Sequence, residues 1–140
     1  AYAGIEDYLD RVRAMAEWGK FDVLGHLTLP LRYLNENKGF HLSMERYQDE
    51  IAGIFDVLNR KGIGIELNTN RGHTPLPDAA WLRLYLDTVS EPIITLGTDA
   101  HSAEFVGRAV RERQALLREC GFSRFCTFEK RRPIWHALGN

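Results

Sequence analysis

Apolar residues at Ile5, Leu9, Val12 and Ala16 recur at helical spacing, with Gly19 directly after them. The pattern predicts an amphipathic opening helix that stops at the glycine. The segment "FDVLGHL", Phe21–Leu27, then reads as a strand, followed by a looser stretch broken by Pro30 and Gly39. Ser43 is placed to cap a helix carrying Met44, Tyr47, Ile51, Ile54, Phe55 and Leu58 on one side, and Gly62 marks its stop. The same order repeats. "GIGIELNT" is a strand, "NRGHTPLP" a loop, and "DAAWLRLYLDTVS" a helix with Leu82, Tyr85, Leu86 and Val89 on its buried stripe. "PIITLG" is a third strand, and a helix from about Ser102 carries Val106, Ala109, Val110 and Leu117. "FSRFCTFE" is the last strand and "PIWHAL" a short terminal helix.

Strands alternating with helices of this length predict an α/β unit of about four parallel strands with flanking helices and right-handed crossovers. No linker or low-complexity stretch divides residues 1–140, so one architectural unit is expected. A doubly wound sheet is one option, but no glycine-rich fingerprint follows any strand. The glycines of "KGIGIEL" stand at a strand's beginning, where they cannot cradle a phosphate at a helix N-terminus. The other option is half of a β/α barrel, since complete barrels typically need ~250 residues.

Side chains alternate along a strand, so residues two apart share a face. Leu24, His26 and Thr28 then share one face of the first strand. In the second, Ile63, Ile65 and Leu67 point toward the helices, and Gly64, Glu66 and Asn68 point the other way. The third strand ends with Asp99 and His101 on a common face. Each strand turns polar at its C-terminal end, where parallel α/β folds place their active sites.

Imidazoles and carboxylates converging from several strand ends suit a divalent metal, so His26, Asp99 and His101 are candidate ligands. Such a centre polarises a phosphoryl or carbonyl oxygen. Arg32, in the loop after the His26 strand, is placed for a fork of hydrogen bonds to an anionic group. The plainer readings stand beside these. Asp99 also fits a turn, His101 fits a satisfied semi-buried residue, Glu66 fits a structural carboxylate as well as a ligand, and Arg32 fits a surface arginine. His41, His73 and His136 lie in loops or near the end of the chain and receive no role.

Composition narrows the field of partners. The chain has 18 basic and 19 acidic residues and a formal net charge of −1, which gives no general pull toward nucleic acid or anionic lipid. The cluster Lys130, Arg131, Arg132 reads as a solvated turn. No apolar run approaches the ~20 residues of a membrane span, and "AYAGIEDYLD" lacks the features of a signal peptide. Cys120 and Cys126 match no zinc-ribbon pattern and read as reduced thiols. A cytoplasmic setting is the expectation.

With these residues in place, the chain resembles the C-terminal half of a histidinol-phosphatase of the PHP (polymerase and histidinol phosphatase) superfamily. "FDVLGHLTLPLRY" resembles that family's segment with one metal-binding His, "GIGIELNTNRG" its Glu-x-Asn strand, and "PIITLGTDAHSAEFVGRA" its late Asp-x-His motif and following helix. "CGFSRFCTFEKRRPI" resembles its terminal strand and basic turn. The resemblance implies a distorted β/α barrel of seven strands, of which this chain is a partial (half) barrel, and a two- or three-metal centre; His/Asp sites of this kind accept divalent Zn, Mn or Fe. It implies hydrolysis of L-histidinol phosphate to histidinol and phosphate in histidine biosynthesis. His26, Asp99 and His101 match metal ligands, Arg32 a phosphate-binding position, and Asn68 and Glu66 the substrate-binding interior.

Two departures qualify the match. The family's His-x-His pair is absent, His26 being the first histidine, and Thr28 stands where the family commonly shows Asp. The expectation is a small phosphorylated substrate and a chain that pairs with a second copy or a complementing N-terminal half, with weak activity or none alone. The alternatives are a PHP-type phosphoesterase acting on nucleotides or oligonucleotides, and a non-catalytic module that works by association.

Overall fold

The opening periodicity forms helix α1, Tyr2–Trp18, with Ile5, Leu9, Val12 and Ala16 all buried. Gly19 closes it at φ 67°, its N–H bonded to the Met15 carbonyl, a left-handed cap that glycine adopts without strain. A computed structural model describes residues 1–139 of this mixed α/β chain. Its centre is a parallel sheet in the order β1 (Val23–Leu24), β2 (Gly64–Asn68), β3 (Ile94–Gly97). The register sets Val23 against Gly64, and Ile65 through Asn68 against Ile94 through Gly97.

Between β1 and β2 lie a short helix α2 (Leu29–Leu31), a π-helical turn Arg32–Asn37, and the long helix α3 (Gln48–Lys61). Ser43 does not cap α3, whose N-cap is Tyr47 without a side-chain cap bond; its Oγ accepts the Glu45 N–H at 3.1 Å just before a single 3-10 turn over Glu45–Tyr47. Helix α4 (Ala79–Thr88) joins β2 to β3 and is capped by Asp78, whose Oδ1 accepts the Ala80 N–H at 3.1 Å. Helix α5 (Val110–Cys120) follows β3.

The core lies between α1, α3 and α4 and the apolar face of β2. Ile51, Ile54, Phe55 and Leu58 meet Ile65, Leu67, Leu82 and Tyr85 there. Each such side chain contributes about 1.5–3 kcal/mol of burial, which outweighs the tenths of a kcal/mol by which helix propensities differ. Tyr85 packs edge-on to Phe55 with ring centroids 5.1 Å apart. Its hydroxyl donates to the Ile93 carbonyl at 3.1 Å and accepts the Ile93 N–H at 3.0 Å, which ties α4 to the entry of β3. Gly64 lets that entry approach, because a Cβ there would sit 2.7 Å from the Ile93 carbonyl oxygen.

Four further expectations are corrected. The first strand is confined to Val23–Leu24, because the chain leaves the ladder at Gly25 and His26 takes a left-handed φ of 30°. The parallel sheet has three strands rather than about four. The segment expected as the fourth, β4 (Arg124–Glu129), instead pairs antiparallel with β5 (Arg132–Ala137). "PIWHAL" is accordingly strand and not helix. Lys130 and Arg131, at φ 49° and 65°, make the two-residue reversal that sets six residues in register with β4. Finally, the helix expected from Ser102 is a short 3-10 turn, Ala103–Phe105, and α5 begins only at Val110. Left-handed Gly107 and Ala109 break the run, leaving Val106 72% exposed.

Candidate functional site

β2 alternates as expected, with Ile65 and Leu67 fully buried on one face and Gly64, Glu66 and Asn68 on the other. Glu66 lies across the sheet, above Gly97 of β3 and beside Gly25 at the end of β1. Its Oε1 accepts the backbone N–H of His26 at 3.1 Å and the Nδ2 amide of Asn68 at 3.3 Å. The Tyr8 hydroxyl donates to the His26 carbonyl at 3.3 Å. Burial pushes that phenol up to about 12, so it stays a donor throughout the neutral range. Both ends of the His26 peptide are thus held while its φ stays left-handed, a conformation that needs such support in a residue with a Cβ.

Arg32, at the start of the π-helical turn, presents its guanidinium to three oxygens. Nε donates to Asn70 Oδ1 at 2.7 Å, one terminal nitrogen donates to Asn68 Oδ1 at 3.3 Å, and the other lies 3.5 Å from Asp99 Oδ2. The Arg32 side chain is 19% exposed and that of Asp99 37%, so solvent screens this ion pair only in part. Asn68 Oδ1 also accepts the Asn70 N–H at 2.9 Å. Asn70 in turn donates to Glu36 Oε1 at 2.7 Å and to the Thr74 carbonyl at 2.8 Å.

Sequence reasoning missed Asn70 and Glu36. The signal for Asn70 was the run "LNTN", which carries a second asparagine past the end of an apolar strand. His73, left without a role, lines a cavity of about 350 Å³ with Arg32, Tyr33, Asn70, Arg71 and His101. A larger cavity of about 400 Å³ lies between residues 42–48 and α4, floored by Met44, Trp81 and Leu84, and none of the site's polar residues lines it.

The three proposed metal ligands fare differently. His26 Nδ1 is buried without a hydrogen-bond partner, the state of a nitrogen available to a ligand. His101 is exposed, and its Nδ1 lies 2.7 Å from the Asp99 carbonyl. A carbonyl only accepts, so that nitrogen carries the proton and Nε2 of the neutral ring keeps its lone pair. Asp99 lies beyond the end of β3 at φ 49°, with its carboxylate turned to Arg32. The donor types fit a divalent ion, but their number falls short: among the described residues no three His, Cys, Asp or Glu side chains gather into a metal-holding group.

No protein-family model matches the chain. It is similar to a probable histidinol-phosphatase of Thermotoga maritima, 29% identical over 119 residues, which covers 83% of this chain and 48% of the relative. The chain therefore spans about half the length of that protein, and the identity supports a distant relationship to it.

Proposed function

We propose that this chain supplies the phosphate seat and part of the metal-ligand set of a phosphomonoester hydrolase of PHP type acting on L-histidinol phosphate. The observation that carries the reading is the convergence of Arg32, Asn68, Asn70 and Asp99 at the C-terminal ends of β2 and β3. Arg32 is the anion-binding group: two asparagine carbonyls fix its Nε and one terminal nitrogen, and the remaining N–H donors of the two terminal nitrogens are those left for phosphate oxygens, with the Asp99 carboxylate beside them. Glu66 orients His26 and Asn68 through hydrogen bonds and is a positioning carboxylate rather than a ligand.

His26, Asp99 and His101 would contribute to holding Zn, Mn or Fe. When bound, such an ion supplies Lewis-acid polarisation of a phosphoryl oxygen. The remaining donors would come from a second copy of the chain or from a complementing N-terminal half. Either would also cover the outer edge of β1, which carries no strand among the described residues. The shortfall of ligands favours a second reading for the chain by itself, as a module that binds phosphate and associates without turning over substrate.

Native mass spectrometry with added Zn or Mn, read beside hydrolysis of L-histidinol phosphate, separates these. A dimer that holds metal, loses it in His101→Ala and releases phosphate supports the enzyme. Phosphate binding without metal or turnover supports the module. Failure of wild-type protein to bind inorganic phosphate, with Arg32→Lys indistinguishable from it, ends both.

A further inference from the structure

Arg113 stands on α5, far in sequence from the site, yet its guanidinium reaches the turn that follows β2. One terminal nitrogen donates to the Thr69 carbonyl at 3.1 Å and also to the His73 carbonyl. These two carbonyls bracket Asn70, Arg71 and Gly72, whose φ values of 49°, 57° and 88° make three left-handed residues in succession. Left-handed backbone costs roughly 1–2 kcal/mol for a residue with a Cβ, so a run of this kind persists only where its surroundings hold it. The turn closes on itself through Gly72 N–H to the Thr69 carbonyl at 3.0 Å and His73 N–H to the Asn70 carbonyl at 2.9 Å, and Arg113 adds a donor from α5 to the carbonyls at its two ends. The turn carries the site's parts, since Asn70 grips Arg32 and Arg71 lines the cavity beside it.

We infer that Arg113 is a positioning residue, a clamp that fixes the Thr69–His73 turn and so aims Arg32, through Asn70, into the cavity. The inference rests on the reading of Arg32 as the phosphate-binding group. The clamp itself is visible without ligand. Arg113 Nε is buried without a partner, so the side-chain hydrogen bonds Arg113 makes among the described residues all go to this turn. Burial also pulls the Arg113 guanidinium below its ordinary value, the direction set by desolvation. A surface arginine making an incidental contact would show neither feature.

The test uses Arg113→Met and Arg113→Lys in the whole chain, with two readouts: titration with inorganic phosphate, and the NMR signal of the Arg32 Nε–H, which donates to Asn70 Oδ1 in the wild type. Arg113→Met is expected to weaken phosphate binding about ten- to a hundredfold, the usual range for losing a group that orients a binding residue. It is also expected to speed exchange of the Arg32 Nε–H. Arg113→Lys should recover part of both, because one ammonium still reaches a carbonyl. If Arg113→Met does not fold, Arg113→Lys alone carries the comparison with wild type. An unchanged Arg32 Nε–H signal and unchanged phosphate affinity in a folded variant would overturn the clamp. Should wild type bind no phosphate, the phosphate seat fails, while the Nε–H signal still decides for or against the clamp.

Discussion

Glu66 and His26 lie 40 residues apart and are joined through the backbone: the carboxylate accepts the histidine's N–H at 3.1 Å, not its imidazole. The contact leaves the ring nitrogen Nδ1 unpartnered and makes Glu66 a support for the His26 conformation. Replacing Glu66 by Ala strands that N–H and the Asn68 amide, a loss of about 1–3 kcal/mol. Glu66→Gln keeps an acceptor oxygen and should stay within about 1 kcal/mol of wild type. Urea denaturation of the two variants measures the difference. Equal losses would mean that the charge, not the acceptor, is what the site uses.

Gly97 is the floor on which Glu66 rests, since a Cβ there would collide with Glu66 Oε2. Gly97→Ala should therefore cost about 1–3 kcal/mol through forced displacement and weaken phosphate binding along with it. Gly4, in α1, has nothing within 4 Å of an added Cβ. Gly4→Ala should raise stability by roughly 0.5–1 kcal/mol. Melting curves that shift the same way for both would remove the packing argument for Gly97.

Tyr8 and Tyr85 are each pushed by burial from 10.0 up to about 12. The folded state binds these protons more tightly than the unfolded chain, so their contribution is complete below pH 10 and disappears as pH rises through 12. Each is worth on the order of 2–3 kcal/mol, and stability should fall steeply across that window. Tyr8→Phe should flatten the fall without abolishing it. Chemical denaturation at a series of alkaline pH values shows whether the slope changes.

The β4–β5 hairpin turns on Lys130, a left-handed lysine. Lys130→Gly removes the Cβ penalty and should stabilise the fold by about 1 kcal/mol, less the added freedom of the unfolded chain. Thermal unfolding of the variant measures the gain, and a melting temperature unchanged or lowered would mean that the left-handed lysine carries no strain the glycine can release.

Every helix stripe that was legible in the sequence rests on local spacing. Ile5, Leu9, Val12 and Ala16, and likewise Ile51, Ile54, Phe55 and Leu58, are buried as their recurrence implies, because helical periodicity depends on near neighbours. The alternation of β2 was legible for the same reason, with Glu66 and Asn68 on the face opposite Ile65 and Leu67, whereas His26, Arg32, Asp99 and His101 lie outside the strands that were expected to carry or precede them. Only the tertiary structure decided what those residues do to one another. Left-handed turns at His26, Asn70 and Asp99 re-aim side chains that a straight strand would place elsewhere. Arg32 meets Asn70 across 38 residues and Arg113 meets Thr69 across 44, contacts that no local pattern encodes. The terminal strand was hidden likewise. A short apolar run reads equally as helix or strand until a two-residue reversal gives its backbone a ladder to join.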